Sequence, residues 1–144
     1  MTLAFSRWDW HGGNFKRARE DMPMLDQALT ALVEDLQNRG MDKDVSVVCW
    51  GEFGRTPKIN KGAGRDHWPW VYSLALAGAG VNEGTIYGAS DESAAYPAAN
   101  PHDPCDFVAT LYHLMGVPPQ TKIYDALGRP HNVVIGRPIE PILA

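Results

Sequence analysis

Apolar positions along this chain fall into two periods, one helical and one strand-like. Between residues 21 and 40 they recur at Met22, Leu25, Leu29, Leu32, Val33 and Leu36, the spacing of one face of a helix. Asp21 suits its start, Pro23 is tolerable in a first turn, and Gly40 suits its end. Such a helix is expected to cover a sheet, with Met22 and Met24 as core filler. The run Val45-Ser-Val-Val-Cys-Trp50 is nearly continuous in apolar and β-branched residues and ends at Gly51. It reads as an interior strand of a parallel sheet covered on both faces.

Residues 2–6 form a shorter strand-like run, and residues 71–77 another buried strand closed by Gly78-Ala-Gly80. With the polar turn Asp42-Lys43-Asp44, residues 2–50 read as strand, helix, strand with a right-handed crossover. A hairpin-like piece is expected at residues 84–88, a surface loop at 89–104 and a second amphipathic helix at 106–115, closed by Gly116. From Thr121 onward prolines and glycines interrupt the apolar residues, and no strand is assigned there. The expected architecture is therefore α/β, a mostly parallel sheet flanked by helices, in one domain spanning residues 1–144.

Composition narrows the function classes. A net charge of −4 over 144 residues gives no basic excess, which disfavours nucleic acid and anionic membranes as partners. No apolar run reaches the length of a membrane span. The two cysteines, Cys49 and Cys105, lack the spacing of a metal motif or an evident disulfide.

The chemistry gathers at predicted strand ends. Asp9 and His11 stand two apart in a glycine-flanked turn, a hard oxygen and an imidazole of the kind Zn, Mn or Fe accept. Taken alone, the pair reads more readily as a capped turn and a surface histidine. Glu52 follows the 45–50 strand by two residues, and Asp66-His67 precede the next strand. In an open α/β sheet these five residues would converge on one edge as a metal site for one or two ions. His102, near the end of the long loop, is a further candidate ligand, whereas His113 on the second helix reads as structural. Arg55 is placed either to grip an anion or to pair with Glu52, and Lys58, Lys61 and Arg65 make its loop basic.

The motifs WDWHGGNF, WGEFGRTP, GRDHWPW and HDPCDFVATLYHLMG resemble the C-terminal part of a bacterial domain-of-unknown-function family, abundant in planctomycetes and related to sulfatases and alkaline phosphatases. The resemblance implies an alkaline-phosphatase-like sheet and hydrolysis of small anionic sulfate or phosphate esters. It implies a divalent ion (Zn, Mn, Ca or Mg) on Asp9, His11 and His67. A second ion is put in doubt because Glu52 stands where the wider alkaline phosphatase superfamily has an aspartate and Phe53 where it has a histidine, with Asp66 a substitute ligand. Superfamily nucleophiles lie upstream of these motifs and parents are usually exported. By that comparison the chain is expected to be a C-terminal fragment that self-associates or needs an N-terminal half. The alternative is a noncatalytic α/β binding or assembly module.

Overall fold

The computed structural model describes residues 2–4 and 8–144. Among the described residues, two helices and eight short strands follow one another. They are α1 (Asn14–Asn38), β1 (Ser46–Cys49), β2 (Gly54–Arg55), β3 (His67–Trp68), β4 (Ala75–Gly78), β5 (Ala89–Ser90), β6 (Pro97–Ala99), α2 (Pro104–Leu114), β7 (Lys122–Tyr124) and β8 (Pro130–Asn132), with a final 3-10 turn at Glu140–Ile142.

The expected parallel sheet is overturned. The strands form four separate two-stranded antiparallel pairs: β1 with β4, β2 with β3, β5 with β6 and β7 with β8. In the longest, Ser46 lies opposite Gly78 and Cys49 opposite Ala75. An apolar run reports burial, not strand direction, and all four residues of β1 are only half-buried. The segment between β1 and β4 folds back through the β2–β3 hairpin, so the second strand returns antiparallel without a helical crossover. Residues 2–4 form no strand, and the rest of the predicted first strand lies outside the described residues.

Helix α1 starts seven residues earlier than the apolar pattern suggested, after Gly13 in the left-handed region at φ 61°. Pro23 therefore sits inside the helix rather than in its first turn. Gly40, at φ 68°, follows its end as expected. The helix does not cover a sheet: Leu36 is its one buried residue, while Met22 and Met24 are exposed.

The buried residues are few: Phe107, Ala109 and Thr110 of α2, Val134 and Ile139 of the C-terminal segment, and Trp10 and Leu36, among the described residues; the ring of Trp50 lies 4.9 Å from that of Phe107. The Thr110 hydroxyl donates to the Asp106 carbonyl at 2.8 Å and accepts from the Ile139 N–H at 2.9 Å, tying the C-terminal segment to α2. Two hairpins occupy stretches read as loop or unassigned. Asp91 organises the turn of β5–β6 by accepting from the Ala95 N–H. Asp125 does the same for β7–β8, accepting from the N–H groups of Leu127 and Arg129, with Gly128 at φ 73°.

Candidate metal centre

Three segments make the site. The first is the stretch leading into α1, which carries Asp9 and His11 and is anchored by buried Trp10, whose carbonyl accepts from the Arg65 N–H at 3.2 Å. The second is the β2–β3 hairpin, which carries Arg55 and His67. The third is the hairpin's loop, folded against the first. Gly13 N–H donates to the Gly62 carbonyl and Asn14 N–H to that of Ala63, both at 2.9 Å. Glycine is required at position 64, since a Cβ there would lie 2.1 Å from the backbone of His11.

These contacts bring Asp9, His11 and His67 together across 58 positions of sequence. His67 Nε2 lies 2.8 Å and His11 Nε2 3.0 Å from Asp9 Oδ1, and the two Nε2 atoms are 3.2 Å apart. Three ligands at about 2.0–2.2 Å from one ion would be separated by roughly 2.9–3.5 Å, so this donor set fits a single cation. All three side chains are about half-exposed, at 47% to 60%, so an ion held there would keep positions open to solvent.

The surrounding groups fix these donors. His11 Nδ1 donates to Asp66 Oδ1 at 2.6 Å, so Nε2 is the ring nitrogen that faces Asp9 and His67 and would ligate an ion. Asp66 is held below the ordinary carboxylate range by that bond and by one from Asn60. The Asn60 amide donates to Asp66 Oδ1 and to the His11 carbonyl, both at 3.0 Å, while its oxygen accepts from the N–H groups of Gly62 and Gly64. On the other side Arg55 donates to Asp9 Oδ1 at 2.8 Å and to the Trp8 carbonyl at 3.0 Å. His67 first and Arg55 second pull the Asp9 pKa down to about 2. The Phe53 ring packs on His67 at 4.3 Å and under the Arg55 guanidinium at 5.7 Å.

The candidates from sequence thus separate. Asp9, His11 and His67 converge; Asp66 sits behind His11 as its hydrogen-bond partner. Glu52 is exposed and outside the cluster. Arg55 contacts Asp9, not Glu52. His102 lies elsewhere, bonded to Asp106 at 3.1 Å and beside Tyr87, where both residues line an open cleft of about 1130 Å³ that His67 does not reach. Asn60, which touches the cluster, was missed by sequence reasoning, and Phe53 was noted only as a replaced histidine and not as a neighbour of His67. Asn60 stands two residues before a glycine in the loop between Pro57 and His67, a pattern that marks an Asx turn but not the residue across from it.

No curated protein and no solved structure matches the chain. A family match covers residues 1–143, nearly the whole chain, and its description is protein of unknown function (DUF1501). The chain that builds this half-exposed Asp-His-His cluster belongs to the DUF1501 family.

Proposed function

We propose that this chain holds one divalent transition ion on Asp9, His11 and His67, as the metal-binding part of a sulfatase-like hydrolase of sulfate or phosphate esters. The observation that carries the reading is the convergence of the three donors with Asp66 fixed behind His11. Two imidazoles and one carboxylate favour Zn, Mn or Fe over Ca or Mg, which prefer all-oxygen shells. A bound ion would polarise an ester oxygen and lower the pKa of a coordinated water. The chain's own residues orient it: Asp66 sets the His11 tautomer, Phe53 holds the His67 ring, and Arg55 holds Asp9. Lys58 and Lys61 are exposed on the same loop and attract an anionic ester. The likeness to sulfatases and alkaline phosphatases rests on these motifs and not on the sheet, whose pairs are antiparallel.

One observation favours a second reading, a noncatalytic metal-binding module. Arg55, the candidate anion contact, already spends its guanidinium on Asp9 and Trp8. The two readings separate experimentally. Elemental analysis after equilibration with Zn²⁺ or Mn²⁺ should find close to one ion per chain, reduced in His11→Ala and His67→Ala. A folded sample that takes up no ion, or a double variant that keeps full uptake, refutes the site. Metal-dependent binding of vanadate, a mimic of the ester transition state, supports the hydrolase reading; metal uptake without it selects the module.

A further inference from the structure

We propose that α1 is a docking surface for a second copy of this chain, paired as an antiparallel helix dimer. The helix carries a strict alternation of three- and four-residue steps: Phe15, Ala18, Met22, Leu25, Leu29, Leu32, Leu36. That is the a/d pattern of a coiled-coil seam sustained for three heptads, with Val33 beside it at e. Within the chain Leu36 is buried and Ala18, Leu25 and Leu29 are half-buried, while Phe15, Met22 and Leu32 stay 38% to 48% exposed. Pro23 falls at position b, on the side away from the seam.

Charge selects the direction. In a parallel pair, Asp21 at g would face Asp26 at e of the partner helix, two like charges. Run antiparallel, the e positions face each other, and Arg19 meets Asp26 of the second copy twice by symmetry. The a-to-d layers are then Phe15 with Leu32, Ala18 with Leu29 and Met22 with Leu25, which leaves out Leu36, the one seam residue the chain buries itself.

The area is available. The accessible surface is 10521 Å², against about 7,300 Å² for a compact monomer of 15.9 kDa, an excess of roughly 3,200 Å². A standard interface takes about 800 Å² from each partner, a quarter of that excess.

Sedimentation equilibrium of the full chain over a concentration series tests this, with helix content by circular dichroism as the fold check. A concentration-dependent dimer is expected. Asp26→Arg should weaken it about tenfold, because two attractive pairs become repulsive. The double swap Arg19→Asp with Asp26→Arg should restore it, and Leu25→Lys should abolish it. A monomer at every concentration overturns the proposal, as does a dimer indifferent to Leu25→Lys or a double swap no tighter than the single one. The readout is independent of metal, so failure here leaves the Asp9-His11-His67 site standing, and failure of that site leaves this one.

Discussion

Replacing Asp66 separates the work of holding an ion from the work of aiming a ligand. Asp66 accepts from His11 Nδ1 at 2.6 Å and from Asn60 at 3.0 Å, and reaches the ion position only through the imidazole. Loss of such a partner typically weakens metal affinity 10- to 100-fold. The two useful variants should fall at opposite ends of that range. Asp66→Asn keeps an oxygen that can accept from both neighbours and loses only the charge, so its Kd for Zn²⁺ should rise about tenfold. Asp66→Ala removes the acceptor, and because His11 is 47% exposed water partly replaces it, so the rise should stay near but not beyond about a hundredfold. Isothermal titration measures both constants, and the ¹⁵N shifts of the His11 ring report its tautomer. Since protons compete with the ion for the imidazoles, affinity should fall as pH falls, while Asp9, with its pKa near 2, stays ionised throughout. Unchanged affinity in Asp66→Ala, alongside a clear loss in His11→Ala, would refute the orienting role.

Other outcomes follow from the packing. Gly64→Ala drives a Cβ to within 2.1 Å of the His11 backbone and should cost about 1–3 kcal/mol by urea unfolding while also lowering metal uptake. Thr110→Val leaves the buried Ile139 N–H without its acceptor, a loss of about 1–3 kcal/mol by the same assay. Asp106 is held below its ordinary pKa, chiefly by the Arg137 N–H and then by His102. Its stabilisation is therefore complete above the unfolded carboxylate pKa near 3.9 and lost as pH falls through the lowered value. Acid unfolding of Asp106→Asn should show a shallower decline over that range than the parent chain.

The three donors were legible because they are short-range signals. Asp9 and His11 lie two apart, and His67 stands beside another carboxylate in a glycine-rich context. Their meeting was reached for the wrong reason, through ends of parallel strands. The structure joins them through a hairpin loop laid against the N-terminal turn. Strand direction was not legible, because Ser46–Cys49 carries the same β-branched composition whichever way its partner runs. The early part of α1 was missed because Lys16, Arg17, Arg19 and Glu20 mask the apolar positions 15 and 18 between them. Gly40 marked the helix end because only a left-handed backbone was needed there. The hairpins at Asp91 and Asp125 escaped notice, since their strands are too short and too exposed to show alternation.

The four side-chain bonds of Asn60 close the loop between β2 and β3 mostly upon itself: Gly62 and Gly64 are two and four residues away, and Asp66 six. Short closures of this kind lose little chain entropy, and they form before distant segments have met. Half of the candidate site is thus assembled by local chain geometry, and backbone bonds from Gly13, Asn14 and Arg65 join it to the segment carrying Asp9 and His11. An ion arriving at the half-made site would then act as a clasp between Asp9 and His67, which lie 58 residues apart in sequence.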